Sequence, residues 1–133
     1  MNNSHILQPA HWPRPKGYSN GVVANGRLVF IAGQIGWDEH GHFVSTSLAG
    51  QVQKALENVL MVLAQAGGRA EHVVRLTWYV TSRDEYLDEV KEIGVAYRAV
   101  MGKNFPTMSV VQVVALVETP AKVEIEATAV LPD

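Results

Sequence analysis

The hydrophobic pattern of this sequence predicts an α+β fold, with two helices packed on one face of a β-sheet. Three observations support it: two apolar stripes at helical spacing, runs of β-branched and aromatic residues around them, and glycine or proline at the junctions. The predicted element order is β-β-α-β-α-β-β. Two helices in this order can cover only one face of the sheet, so the opposite face should be open in a single chain.

The N-terminal stretch, residues 1–16, is predicted to be an extended surface arm. It contains three of the six prolines, and proline removes an amide donor and biases its neighbours toward extended backbone. Two apolar runs follow, at residues 21–24 and 27–31, on either side of Asn25-Gly26. Because Asn-Gly suits the positive φ angles of a type I′ turn, these runs predict a β-hairpin.

The first helix and the third strand come next. Residues 47–66 carry one apolar stripe that Gly67-Gly68 terminates, which predicts the helix. Residues 72–81 are rich in β-branched and aromatic side chains, and the even positions from Val74 to Val80 should share one face.

The second helix is predicted to follow directly. Residues 82–85 read as a capping box, and helical spacing continues until Gly102. Two further strands, at 108–116 and 122–131, flank a turn at residues 117–121 that contains Pro120.

The open face of this sheet is predicted to be apolar. It would carry Val73, Thr77 and Tyr79 on the third strand, and the fourth strand has valine on both of its faces. An exposed apolar sheet marks a partner surface, and identical copies usually bury such a surface by closed symmetry. We therefore expect the chain to self-associate.

Composition predicts one soluble domain over residues 1–133. The chain is 47% hydrophobic and 18% charged, and a net charge of -2 without a basic cluster argues against a nucleic-acid partner. There is no cysteine, which agrees with a cytoplasmic location. We see no secretory signal and no run near the ~18 apolar residues that a membrane span needs.

Common catalytic and metal-binding motifs are absent from the sequence. The five histidines lack an HxxxH or HExxH spacing, and there is no GxGxxG, GxxxxGK[ST] or GxSxG. Glu124 and Glu126 lie two apart on a predicted strand, which puts their side chains on one side at ~7 Å. Paired carboxylates are known from glycoside hydrolysis, but no other feature supports a sugar site.

Five short segments in a definite order resemble the Rid family (YjgF-like, reactive intermediate deaminase), whose members are also described as endoribonuclease L-PSP-like. The family pattern reads roughly GPYSQ, SGQ, a helix with Gln and Asn, FPARS and VEIEA. The corresponding segments here are Gly17-Tyr18-Ser19-Asn20, Ala32-Gly33-Gln34, Gln51 to Asn58, Phe105-Pro106-Thr107-Met108-Ser109 and Val123-Glu124-Ile125-Glu126-Ala127.

The resemblance implies a chorismate-mutase-like fold with a mixed sheet, and a homotrimer with small-molecule clefts between subunits. In the well-studied branch of the family, these clefts hydrolyse reactive enamines and imines made by pyridoxal-phosphate enzymes, without a cofactor of their own. The products are a keto acid and ammonia.

The resemblance also implies the site residues. Tyr18 and Glu124 are the catalytic candidates, with Glu124 as general base; a structural hydrogen bond is the alternative for Glu124. The candidates for substrate binding could instead serve as turn, bulge or solvated polar residues. They are Ser19, Gly33, Gln34, Asn58, Met108 and Ser109.

Met108 is the main departure from the family, which has arginine there to grip the substrate carboxylate. Guanidinium donates two parallel hydrogen bonds to a carboxylate, whereas a thioether donates none. We therefore expect an atypical substrate, unless another arginine replaces the missing one; the available residues are Arg75, Arg83 and Arg98.

Three functions follow from these observations. The first is an imine or enamine deaminase with an atypical substrate. The second is a ligand-binding or regulatory trimer that has lost catalysis together with the arginine. The third is endoribonuclease or translation-inhibiting activity, against which the acidic balance counts.

Overall fold

The computed structural model describes residues 3–133, and within them the chain forms two sheets and three α-helices. A single 3-10 turn, Ala70–His72, precedes the fourth strand. The elements in chain order are β1 (Ser4–Leu7), β2 (Gly21–Ala24), β3 (Arg27–Gln34), α1 (Leu48–Ala64), β4 (Val73–Val80), α2 (Arg83–Asp88), α3 (Val90–Met101), β5 (Thr107–Gln112) and β6 (Val123–Leu131).

The main sheet has the strand order β3-β6-β4-β5. It is mixed, because β4 and β5 run parallel while β6 is antiparallel to both of its neighbours. Helix α1 packs on β6 and β3, and α3 packs on α1. The buried core lies between these helices and the sheet, around Leu56, Trp78 and Ile125. The predicted α+β sandwich with its two main helices on one face is confirmed.

Helix α1 matches its prediction closely. The Ser47 hydroxyl caps it by accepting a hydrogen bond from the Gly50 amide at 3.0 Å. Of the six residues of the predicted apolar stripe, Leu60 is partly buried and the other five are buried: Leu48, Val52, Leu56, Val59 and Leu63. None of the helices within residues 3–133 combines the length and the apolar character that crossing a bilayer requires.

The predicted hairpin at residues 21–31 is wrong. Strand β2 pairs antiparallel with β1 in a separate two-stranded sheet, and β3 pairs with β6. A type I′ turn needs positive φ at both central residues, but of Asn25-Gly26 only Gly26 has it, at 146°. The N-terminal arm thus contains a strand, β1, which the proline content of the arm did not predict. Met1 and Asn2 of the predicted arm lie outside the described residues.

The second predicted helix is divided into α2 and α3. One half of the predicted capping box forms, since the Ser82 hydroxyl accepts from the Glu85 amide at 3.1 Å. The Glu85 carboxylate instead accepts a hydrogen bond from Lys122 Nζ at 2.6 Å. The break falls at Glu89, whose carboxylate accepts a hydrogen bond from the Ala49 amide in the first turn of α1 at 3.1 Å. Leu87, expected on the apolar stripe, is 56% exposed as a result.

Strand β4 follows the predicted alternation except at its start. Leu76, Trp78 and Val80 are buried beneath the helices, and Thr77 and Tyr79 lie on the open face. Val73, predicted for the open face, is buried because the register with β6 shifts between Val73 and Arg75. Strand β5 ends at Gln112, four residues earlier than predicted. The open face also exposes large apolar side chains: Leu28, Phe30 and Val111.

Candidate functional site

A cavity of about 370 Å³ lies between α3, the first residues of β5 and the loop that carries Tyr18. We call it the aromatic cavity. Tyr97 and Phe105 stack with ring centroids 5.6 Å apart, and Trp78 meets Tyr86 edge to face at 6.4 Å. Its aromatic lining residues are Tyr18, Trp78, Tyr86, Tyr97 and Phe105.

Tyr18 is held at the mouth of this cavity by its neighbour. The Ser19 amide donates to the Pro106 carbonyl at 3.1 Å, and the Ser19 hydroxyl donates to the Phe105 carbonyl at 2.5 Å. Ser19 is buried, while Tyr18 remains 40% exposed. Ser19 therefore ties the loop to β5 with its own hydroxyl proton, and Tyr18 is left free to face a ligand.

Met108 reaches the aromatic cavity from β5. It lies directly opposite Leu76 of β4, and opposed residues in a ladder point to the same side of the sheet. Met108 therefore faces the helices and packs against the core, and it lines the cavity together with Tyr18. Ser109 points to the open face opposite Thr77.

A second, wider groove adjoins the aromatic cavity. It brings together four of the residues that the sequence singled out: Tyr18, Ser19, Met108 and Ser109. Arg75 also lines this groove, from the open face of β4. The first and fourth segments of the family pattern therefore meet in space.

Arg98 is placed on the aromatic cavity itself. Its guanidinium lies over Gly94, one helical turn earlier, where a Cβ would come within 3.2 Å of Nη1. Lys16 is the other cationic lining residue, and no carboxylate within residues 3–133 lines the cavity. Arg83 lies elsewhere, at the start of α2, with its Nε 4.0 Å from the Asp84 carboxylate. Of the three possible replacements for the missing arginine, Arg98 shares the cavity with Met108.

Trp78 lines the aromatic cavity, and its indole carries an unpaired donor. Its Nε1–H is buried, and no acceptor within the described chain, residues 3–133, pairs with it. An unpaired buried donor costs about 1–3 kcal/mol, so native proteins seldom retain one without a reason. Trp78 lies on the face of the strand that the even positions were predicted to share, and it belongs to the core while also lining the cavity.

Gly33 and Glu124 form a second group, on the open face. Gly33 lies at an irregularity in the β3–β6 register between Ile31 and Gln34, which agrees with a bulge. Any side chain at position 33 would overlap the Glu124 carboxylate. Glycine is thus required here so that Glu124 can lie flat across β3.

Glu124 and Glu126 differ in their hydrogen bonds. The Tyr79 hydroxyl donates to Glu126 Oε1 at 2.6 Å, and this bond, with desolvation and the charges of both carboxylates, raises the pKa of Tyr79 above its usual 10. Within residues 3–133, Glu124 accepts no comparable hydrogen bond. Of the two carboxylates, Glu124 is therefore the one whose oxygens are available to accept a hydrogen bond from water or a ligand.

Glu124 and Met108 cannot meet within one chain. Glu124 lies opposite Tyr79, and Tyr79 lies opposite Val111, three residues along β5 from Met108. Two strand spacings and three residues of rise separate their backbones by roughly 14 Å, and the two side chains point to opposite faces. The chain thus carries two separate groups of candidate residues, which we call the Tyr18 half-site and the Glu124 half-site.

Gln34 and Asn58 lie in neither half-site. Asn58 donates to the carbonyls of Ile35 and Trp37 at 3.0 and 2.9 Å, and so holds the loop after β3. The Gln34 amide donates to the Ala32 carbonyl at 3.1 Å. Both line a shallow groove beside Lys54. In the described chain, residues 3–133, no three His, Asp or Glu side chains converge on a possible metal position.

Comparison with known proteins identifies the family. The profile described as endoribonuclease L-PSP matches residues 11–131. The human protein named 2-iminobutanoate/2-iminopropanoate deaminase is 34% identical over 127 residues, which are 94% of this chain and 88% of that protein. The chain belongs to the Rid family, as its sequence segments indicated.

Solved structures agree. The Rid-family protein YyfB from Yersinia pestis superposes with a TM-score of 0.81 at 33% identity, covering 97% of this chain and 99% of that one. TdcF from E. coli, crystallised with bound serine, gives a TM-score of 0.68 at 30% identity over 96% and 98% of the two chains.

Proposed function

We propose that this protein is an imine or enamine deaminase that acts in the cytoplasm as a homotrimer. Relatives from human and cattle, 34% and 31% identical to it, are named 2-iminobutanoate/2-iminopropanoate deaminase. The proposal takes the reaction class from this likeness. It does not take the substrate, because Met108 replaces the arginine that would hold a short imino acid.

The separation of the two half-sites carries the proposal. Met108 in the Tyr18 half-site and Glu124 lie on different faces of one sheet, and the open face, which would lie between subunits, is apolar at Phe30 and Val111. Closed symmetry that buries this face would bring Glu124 of one subunit toward Tyr18 of another. The cleft for the small molecule is therefore intersubunit in this proposal.

Hydrolysis in such a cleft needs one water and no cofactor. Glu124 accepts a proton from the water as the water oxygen bonds to the imine carbon, the C=N electron pair moves to nitrogen, and Glu124 returns the proton to that nitrogen, giving a neutral carbinolamine. Glu124 then moves the hydroxyl proton of the carbinolamine to the nitrogen as the C–N bond breaks, which leaves a carbonyl group and ammonia. Tyr18 would orient the water or the substrate through its hydroxyl.

The test uses imines generated in place by an amino-acid oxidase, with carbonyl formation followed against the uncatalysed rate. We expect turnover of imines with large apolar side chains and little acceleration for 2-iminopropionate. Glu124→Gln should lower kcat by at least a hundredfold, while Glu118→Gln, an exposed carboxylate in the loop before β6, should not change it. Equal rates for both variants and the native protein would contradict the proposal.

A ligand-binding trimer without catalysis is the second candidate, and Met108 is the observation that favours it. Binding of a small acid without any turnover of its imine would support this function. Endoribonuclease activity, which the family description includes, is tested in parallel by incubating the protein with RNA. The net charge of -2 counts against it.

A further inference from the structure

The aromatic cavity carries a positive charge that nothing in the described chain, residues 3–133, neutralises. Lys16 and Arg98 line it, and neither forms an ion pair or a side-chain hydrogen bond with the residues described. A concave site with charge of one sign and low-dielectric walls attracts the opposite charge. The cavity is therefore suited to an anion.

Arg98 is the better placed of the two cations to hold a carboxylate. It comes from the regular helix α3, and its guanidinium lies against Gly94, one helical turn earlier, where the missing side chain leaves room for it. A planar guanidinium binds a carboxylate through two parallel hydrogen bonds, which a lysine ammonium cannot do. Arg98 thus supplies the chemistry that Met108 lacks, from the opposite wall of the same cavity.

The unpaired Nε1–H of Trp78 is an independent sign of a ligand. The side chain is 2% exposed and lines the cavity, yet its donor has no acceptor within residues 3–133. A keto oxygen or imine nitrogen entering the cavity would provide that acceptor.

The remaining walls select a large apolar group. Tyr86, Phe105 and Met108 present two ring faces and a thioether, which packs well against aromatic rings. A volume of about 370 Å³ lies at the lower end of the range for small-molecule sites. A two- or three-carbon acid would leave most of it empty, whereas an aromatic ring with a short acid chain would occupy more of it and reach these apolar walls.

We propose that the aromatic cavity binds acids with an aromatic or large apolar side chain, with Arg98 holding the carboxylate and Trp78 donating to the 2-imino or 2-keto atom. This inference rests on the proposed function and specifies its substrate class: imino acids derived from bulky apolar amino acids. Met108 is then a specificity residue that forms part of the apolar wall.

Binding is measured by calorimetry with phenylpyruvate, which has the carboxylate, the ring and the keto oxygen. Pyruvate removes the ring, and the primary amide of phenylpyruvate removes the charge. Both should bind at least tenfold more weakly than phenylpyruvate. Arg98→Gln should weaken phenylpyruvate binding by about ten- to a hundredfold, since a charge-assisted contact is lost. Arg83→Gln is the matched control on the neighbouring helix and should leave binding unchanged.

Two further variants sharpen the test. Arg75→Gln removes the arginine of the adjoining groove and should leave phenylpyruvate binding within twofold of the native value. Trp78→Phe keeps a ring and removes the donor; it should weaken phenylpyruvate binding while leaving 3-phenylpropionate binding, which needs no such donor, nearly unchanged. A thermal melt verifies that each variant is folded.

The outcomes separate this inference from the deaminase proposal. Native-like phenylpyruvate binding by Arg98→Gln, or a larger loss in Arg75→Gln, would overturn the role of Arg98. Tight binding that depends on Arg98, without hydrolysis of the corresponding imine, would support the inference and contradict the deaminase. Hydrolysis of the phenylalanine-derived imine with the same KM in Arg98→Gln and native protein would do the reverse.

Discussion

Gly33→Ala tests the proposed role of Glu124 without touching its carboxyl group. The added Cβ would lie 2.7 Å from the Glu124 Cδ and 2.8 Å from its Cγ, whereas ordinary carbon contacts begin near 3.4 Å. The carboxylate must therefore move by roughly 1 Å, and displacements of this size at a reacting group cost about a hundredfold in rate. We expect kcat for the preferred imine to fall by that factor.

The fold should tolerate this substitution. Gly33 has no positive φ angle, and replacing glycine at a compatible position stabilises by about 0.4–1 kcal/mol through the unfolded chain, which offsets part of the clash. The assay compares native protein, Gly33→Ala, Glu124→Gln and the double variant, with melting temperatures alongside. If Gly33 acts through Glu124, the double variant should be no slower than Glu124→Gln. Full activity in Gly33→Ala, or additive losses in the double variant, would refute the reasoning.

Three other predictions concern assembly, the loop after β3 and pH. Scattering in solution should give about three times the 14.5 kDa chain mass, and Val111→Asp should shift the protein toward monomer because it would bury an unpaired charge; a trimer unaffected at low concentration would place the contact elsewhere. Asn58→Ala should lower the free energy of unfolding, measured by urea denaturation, by about 1–3 kcal/mol, because the carbonyls of Ile35 and Trp37 lose their donor. A loss below ~0.5 kcal/mol would show that other contacts hold the loop. The pKa of Tyr79 is raised mainly by its hydrogen bond to Glu126. This bond therefore stabilises the fold at and below the ordinary tyrosine pKa of 10, and its contribution is lost as pH rises through the raised pKa of the folded state. The difference in melting temperature between native protein and Tyr79→Phe should narrow above that pKa, and a constant difference would contradict this.

The parts of the fold that were predictable are those set by local periodicity. The stripe from Leu48 to Leu63 and the alternation from Leu76 to Val80 both report which side of an element is buried. Strand β1 and the break at Glu89 were not predictable in this way. At the break, the Glu89 carboxylate accepts a hydrogen bond from the amide of Ala49, forty residues away, and no local propensity encodes this contact.

The site was predictable in its residue types but not in its grouping. Family segments pointed to Tyr18, Gly33, Glu124 and Met108. Of these, Tyr18 and Met108 line the aromatic cavity, whereas Gly33 and Glu124 lie together on the open face. That division follows from the pairing of β4 with both β5 and β6, and strand pairing between distant segments leaves little trace in a single sequence.

Arg98 is a further residue that the sequence alone could not assign to the site. The sequence offers three arginines as replacements for the missing one and does not rank them. Helical spacing relates Arg98 to Gly94, but it does not show which cavity that face of α3 meets. Only the packing of α3 beside β5 brings its guanidinium to the cavity that Met108 lines. The charged group missing at Met108 and the charged group present at Arg98 are thus related only through the tertiary structure. If the calorimetry supports the role of Arg98, the departure at Met108 changes where the acid is held and which side chains fit. The cavity keeps its capacity to hold an acid.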